Sequence, residues 1–245
     1  MISIIIPTYN EEKAIGDTVK RLTAIPYESI ITDDKSTDNT VSVARTAAQG
    51  YPVIILANEK KHATIAANRN TGAKASHGDL LVFMDSDCVI ENIEASLTRA
   101  ANLFATDTGV GKKRLVALTG SIGVLPEYET WGDKIVYSIF NLVHRIKNNL
   151  LHIGEAAGKF QMIRRDAFLQ VNGYREDLVT REDGDMFNRL SKIGRTYYDS
   201  DIVIRHTGRR AHLLGWPKLL SIWMVETFWV MAFNKSHTKI WKDIR

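Results

Sequence analysis

Two carboxylates, Asp85 and Asp87, flank Ser86 directly after the apolar run Leu80–Met84. Like charges spaced so closely repel each other unless a cation lies between them. Hard oxygen donors on a compact turn suit Mg²⁺ or Mn²⁺, ions that commonly hold substrate phosphates as well. Other polar clusters, Thr8-Tyr9-Asn10, Asp33-Asp34 and Asn58, also follow short apolar runs. In each case a buried strand delivers chemistry-bearing side chains to its C-terminal end.

The elements that must do this positioning follow from the spacing. Residues 3–6, 29–32, 53–56 and 80–84 read as strands, the last apolar enough to be covered on both faces. Helices are expected from Glu11 to about Thr23, started by Asn10, then over about 38–49 and about 63–76. Strands alternating with helices imply right-handed βαβ units and a sheet sandwiched by helices, and ligands of such sheets bind outside the strand C-termini. Further strands are expected at 114–119 and 202–206. A small-residue turn at Ala156-Ala157-Gly158-Lys159 feeds another strand.

At 245 residues, 44% hydrophobic and 24% charged, the chain can bury an ample core. Its net charge of +4 fits an anionic substrate or membrane surface and is too weak and dispersed for nucleic acid. A single cysteine, Cys88, excludes an internal disulfide and fits a reducing compartment. Residues 2–6 already read as a strand, so no signal peptide is expected ahead of the fold. No G-x-G-x-x-G follows the first strand, and the run from Gly109 to Lys113 lacks both the earlier glycine and the hydroxyl residue of a phosphate loop.

Taken in order, Ser3-Ile4-Ile5-Ile6-Pro7-Thr8-Tyr9-Asn10-Glu11-Glu12, Asp33-Asp34-Lys35-Ser36-Thr37-Asp38-Asn39-Thr40, Ala67-Asn68-Arg69-Asn70-Thr71-Gly72 and Asp85-Ser86-Asp87 resemble the signature of family 2 glycosyltransferases, inverting enzymes of the GT-A fold. The resemblance covers about residues 2–206. It departs from the family at Lys35, where glycine is usual, and at Lys61-His62-Ala63, a loop that often carries glycine. It implies a catalytic domain over 1–210, with a nucleotide-sugar half (1–122) and an acceptor half (123–210), followed by a C-terminal segment, 211–245.

The resemblance also implies roles. Pro7, Tyr9 and Glu11 would line the nucleotide, with Glu11 accepting a ribose hydroxyl. Asp33 or Asp34 would read the imino N–H of uracil or guanine, and Arg69 would approach the diphosphate with its charged fork. Asp85 and Ser86 would lie near the ribose and metal, and Asp87 would bind the metal directly. His206 would complete the metal shell or touch phosphate. Thr180-Arg181-Glu182-Asp183 resembles the acidic pair before the acceptor-side helix, with Asp183 as the base for the acceptor hydroxyl and Glu182 as its alternate. The alternative reading is that Glu182 and Asp183 serve only as charges at a helix N-terminus. The segment 131–151 is amphipathic, with Ile135, Ile139, Leu142, Val143 and Ile146 on one side, and reads as part of the acceptor half.

In the C-terminal segment, residues 219–233 are apolar except Ser221, Glu226 and Thr227. The run falls short of the approximately 20 residues of a bilayer span and holds a carboxylate at its middle. Arg209, Arg210 and Lys218 precede the run and Lys235, Lys239, Lys242 and Arg245 follow it, and Trp216, Trp223, Trp229 and Trp241 lie in this segment. That pattern suits peripheral contact through 213–245 with the inner, cytoplasmic face of the cell membrane. Packing on the catalytic domain, or in a homodimer seam, is the alternative. The expected activity is transfer of a sugar from a UDP- or GDP-sugar to a lipid-linked or polysaccharide acceptor, with Mn²⁺ or Mg²⁺. A sugar nucleotidylyltransferase would need a Gly-rich basic loop after the first strand, which Pro7–Glu12 is not. A catalytically silent nucleotide-sugar binder would have no need of Asp85, Asp87 and Asp183 together.

Overall fold

The structure, a computed structural model, describes residues 1–57, 64–109 and 113–238. Asn58, the Lys61-His62-Ala63 loop, most of the run at 109–113 and the distal Lys239, Trp241, Lys242 and Arg245 lie outside the described residues. The chain folds as β1 (Ile2–Thr8), α1 (Ile15–Thr23), β2 (Glu28–Asp33), α2 (Thr40–Ala48), β3 (Val53–Ala57), α3 (Ile65–Ala75) and β4 (Leu80–Met84). It continues with β5 (Val89–Ile90), α4 (Ile93–Thr106), β6 (Leu115–Val124), α5 (Trp131–Arg145) and a π-helical turn (Ile146–Leu150). The last part comprises β7 (Phe160–Arg164), α6 (Arg165–Gln170), α7 (Glu182–Ile193), β8 (Arg195–His206), α8 (Arg209–Leu214) and α9 (Trp216–Phe233).

One sheet in the order β3-β2-β1-β4-β7-β6-β8-β5 runs through both halves. The pairs among β1, β2, β3 and β4 are parallel, as the βαβ pattern requires. The alternation of strand side chains then builds a core on each face. Ile4 and Ile6 pack with Val19, Leu22 and Phe104 on one side, while Ile5 packs with Phe83, Phe168 and Phe187 on the other. Burial of each such side chain stabilises the fold by about 1.5–3 kcal/mol.

Two features of the topology decide the site. β7 is inserted antiparallel between β4 and β6, with Met84 opposite Phe160, so its N-terminal end lies at the same rim as the β4 C-terminus. The short β5 pairs antiparallel with β8, Val89 opposite Arg205, which carries the chain after Asp87 alongside the end of β8.

The structure corrects several boundaries. The first helix starts at Ile15 rather than Glu11, because the preceding amides bond elsewhere. Asn10 takes a left-handed conformation (φ 51°) and its N–H donates to Ser36 Oγ at 2.8 Å. Glu11 N–H donates to Thr40 Oγ1 at 2.7 Å, and Glu12 N–H to Asp38 Oδ2 at 3.2 Å. The strands expected at 114–119 and 202–206 extend to Leu115–Val124 and Arg195–His206, and β5 and α4 had no counterpart in the sequence reading. The apolar side of α5 faces outward: Ile135, Ile139 and Leu142 are each 55% exposed. Its opposite side buries Asp133, the partner of Thr130 in a capping box. Among the described residues no helix is long and apolar enough to cross a membrane.

Candidate active site

The loop after β4 holds Asp85, Ser86 and Asp87 at the rim. Because β7 begins beside it, Lys159 reaches in, its Nζ 3.1 Å from Asp85 Oδ2 and 3.2 Å from Asp87 Oδ1. From the end of β8, Thr207 Oγ1 donates to Asp87 Oδ2 at 3.2 Å. Arg209, the first residue of α8, places Nη2 3.6 Å from the same oxygen. It also grips Glu11, with Nη1 donating to Oε2 at 3.0 Å and Nη2 to Oε1. Burial alone would push the pKa of Asp87 up, but the positive charge of Lys159 and Arg209 outweighs it and holds the carboxyl well below the usual carboxylate range. Beside this cluster a cleft of about 220 Å³ is lined by Asn10, Glu11, Lys13, Asp38 and Arg209, among others.

A second cluster lies behind the first and is joined to it by Arg69. This side chain, 1% exposed, projects from α3. Its Nη1 donates to Glu182 Oε1 at 2.9 Å and its Nη2 to Asp85 Oδ1 at 3.2 Å and to the Gly158 carbonyl at 3.1 Å. The guanidinium lies 5.2 Å from the Tyr174 ring centroid, a cation–π contact. A Cβ at residue 158 would come within 2.5 Å of Arg69 Nη2, so only glycine lets the guanidinium sit here. Burying so strong a cation is tolerable only because it is paired on both sides.

Glu182 and Asp183 open α7, and their environment is the reverse of that around Asp87. Burial first, then repulsion from Asp183, pushes Glu182 up to about 7 against the pull of Arg69. Burial also pushes Asp183 upward, opposed by Arg181 and Arg69. Asp183 is half-buried; its Oδ1 accepts the Gly184 N–H at 2.7 Å, and its backbone carbonyl accepts from Gln161 Nε2 at 3.3 Å. The loop before α7 is fixed by Arg181, which donates to the buried Glu155 at 2.8 Å.

The remaining residues singled out in the sequence fall on or near this rim with varied surroundings. Pro7 is buried in β1, opposite Thr32 of β2, and Tyr9 follows the strand end, half-buried. Both oxygens of Asp33 are engaged by Ser36: Oδ2 accepts its N–H at 2.9 Å and Oδ1 its hydroxyl at 2.5 Å. Asp34 N–H donates to the Thr8 carbonyl at 2.9 Å, tying β2 to β1 at the rim. Ser86 is buried, and its carbonyl accepts from Thr18 Oγ1 at 2.7 Å. His206, expected at the metal or phosphate, has protein partners at both ring nitrogens. Its Nδ1 accepts the Gly208 N–H at 3.0 Å, and its Nε2 lies 2.8 Å from the Tyr137 hydroxyl. Burial and the nearby Lys159 push the imidazole down to about 3, so the ring is neutral and both nitrogens are occupied.

Among the described residues, the grouped metal-capable side chains are Asp85, Asp87 and Cys88, whose ligand atoms lie within 4.8 Å of one another. Burial pushes the Cys88 thiol up, which leaves two hard carboxylates as the donors suited to Mg²⁺ or Mn²⁺. Three carboxylates, Glu11, Asp85 and Asp87, meet at this rim, crossed by Lys159, Arg209 and Arg69. Sequence reasoning passed over Lys159, Thr207 and Tyr174. The signal for Lys159 was a cation wedged between a glycine and an apolar strand, but only the antiparallel course of β7 gives it meaning.

Comparison with known proteins agrees with this geometry. Residues 3–171 match the family described as glycosyl transferase family 2. The O-antigen chain rhamnosyltransferase WbaN of Salmonella anatum is 27% identical over 219 residues, covering 84% of this chain and 65% of that protein. The dolichol-phosphate mannosyltransferase of Pyrococcus furiosus is 34% identical over 90 residues, covering 35% of this chain and 25% of that protein. The chain thus spans less than two thirds of the length of these curated relatives. Among solved structures, the mannosyltransferase PcManGT from Pyrobaculum calidifontis, in complex with GDP-Man and Mn²⁺, superposes with a TM-score of 0.73 at 17% identity, covering 97% of this chain and 65% of that one. A shared GT-A fold and a family match over most of its length give one conclusion: the chain belongs to glycosyl transferase family 2.

Proposed function

We propose that this chain transfers a sugar, with inversion, from a UDP- or GDP-sugar to a hydroxyl of a lipid-linked or polysaccharide acceptor. The observation that carries the reading is Arg69, which spans Asp85 of the strand-end pair and Glu182 of the α7 pair. One buried guanidinium thereby holds a donor-side and an acceptor-side carboxylate in fixed relation. The rim from Pro7 through Tyr9 to Glu11, with Asp33 and Asp34, would cradle the nucleoside, and Arg209 at the cleft would face the diphosphate.

Asp85 and Asp87 would hold the divalent ion, Mn²⁺ or Mg²⁺, which when bound supplies positive charge to the departing diphosphate. In the transfer the acceptor oxygen bonds the anomeric carbon from the face opposite the leaving group. The bond to the diphosphate oxygen breaks, and its electron pair leaves with the nucleoside diphosphate. The acceptor proton passes to Asp183, while Glu182, fixed by Arg69, would orient the acceptor. The test is transfer from a panel of UDP- and GDP-sugars with and without Mn²⁺. Wild type should turn over only with metal, and Asp87→Ala should lose metal-dependent nucleoside diphosphate binding while keeping its fold. Unchanged Mn²⁺-dependent binding in the variant would remove Asp87 from the site.

Contact with a membrane surface belongs to the same reading, supported by the lipid-phosphate acceptor in the Pyrococcus relative's name and by the outward apolar side chains of α9. Met224, Phe228 and Met231 are 66%, 64% and 78% exposed, whereas Trp216 and Trp223 pack against Tyr137 and Phe140 of α5. The protein should co-sediment with phosphatidylglycerol liposomes, less so at high salt, and Phe228→Ser with Met231→Ser should abolish this. Equal sedimentation of the double variant would remove α9 from the contact.

A further inference from the structure

Lys159 is the feature of this site that the proposed reaction leaves unused. It sits at the start of β7, its ammonium bridging one oxygen each of Asp85 and Asp87 at 3.1 and 3.2 Å. Those two carboxylates are also the residues assigned to the divalent ion in the proposed function, and the inference rests on that assignment. An ammonium and a divalent cation compete for the pair, because like charges a few ångströms apart repel each other strongly where little water screens them. The other contacts of the pair are neutral or shared: Thr207 carries no charge, Arg209 lies 3.6 Å from Asp87 but grips Glu11, and Arg69 divides itself between Asp85 and Glu182.

We infer that Lys159 is a built-in counter-ion that occupies the cation position between Asp85 and Asp87 until nucleotide arrives, so that metal and nucleoside diphosphate bind together. In the nucleotide-free protein the lysine neutralises the pair and resists metal entry. The diphosphate brings new anionic oxygens that can take the ammonium, which frees the carboxylates for the ion. Metal affinity therefore depends on the nucleotide, and by linkage nucleotide affinity depends on the metal to the same degree. A site of this kind stays closed to stray divalent ions when no donor is present.

The experiment measures free Mn²⁺ by electron paramagnetic resonance as the full chain is titrated, with and without UDP or GDP. Wild type should bind Mn²⁺ at least about tenfold more tightly with the diphosphate than without it, a change of about 1.4 kcal/mol. Lys159→Met should bind Mn²⁺ without nucleotide at least about tenfold more tightly than wild type, and Lys159→Arg, which keeps the charge, should remain weak. If Lys159→Met does not fold, Lys159→Gln is held to the same criterion. Nucleotide-free Mn²⁺ affinity equal to wild type in the charge-removing variant overturns the inference while leaving the metal reading intact. Absence of Mn²⁺ uptake by wild type even with UDP and GDP overturns both.

Discussion

Asp85-Ser86-Asp87 and Glu182-Asp183 are both small acidic clusters at element ends, yet the fold treats them in opposite ways. Asp87 is ringed by Lys159, Thr207 and Arg209, and stays ionised far below neutrality. Glu182 and Asp183 crowd each other out of water with one shared cation, Arg69, and Arg181 acting on Asp183, and their proton affinity rises. In the proposed reaction the same side-chain chemistry serves as a cation holder at one place and a proton acceptor at the other. Environment decides which, through the balance of desolvation and neighbouring charge.

The strongest way to break the contrast is to remove basicity from the second pair alone. Asp183→Asn keeps the shape and should leave donor binding near normal, while kcat falls by roughly 10²–10⁴-fold, the usual size of general-base assistance. Retained kcat would transfer the role to Glu182. Next in size is the link between the pairs. Arg69→Met leaves Glu182 buried without its cation and Asp85 with Lys159 alone, and should lower unfolding free energy by about 3–5 kcal/mol in urea titration. A loss under about 1 kcal/mol would mean that the two carboxylates do not depend on it.

The pH profile sharpens the contrast with a smaller effect. A base must be ionised to act, and burial pushes both carboxyls of the α7 pair upward, Glu182 to about 7. kcat should therefore rise with pH through the acid range and level off once Asp183 is ionised. Glu182→Gln removes the like charge beside Asp183, so this limb should move to lower pH. Metal-dependent nucleotide binding should show no step from Asp87 over the same range, since that carboxylate is already ionised. A flat kcat profile between pH 5 and 8 would contradict the assignment of the pair.

The sequence by itself determined the parallel half of this protein. Its short apolar runs alternate with helical segments, and each strand there ends in polar residues, so β1, β2 and β4 and their rim of Thr8, Asp33 and Asp85 follow from local periodicity and right-handed crossovers. The α1 boundary was misplaced because side chains 26 to 29 residues away capture the amides of Asn10, Glu11 and Glu12, a partnership that no local rule contains. The outward apolar side of α5 was equally hidden, since periodicity shows that a helix is two-sided but not which side meets the core. Arg69 could be picked from its motif, but not its place between Asp85 and Glu182, 16 and 113 residues away. Lys159 and Thr207 reach Asp87 only because β7 and β5 run antiparallel to their neighbours, which carries loops from distant parts of the chain to one strand end. Side-chain identity is local, whereas the charge and dryness around a carboxylate are summed over everything that the fold brings near it, and that sum separates the two acidic pairs.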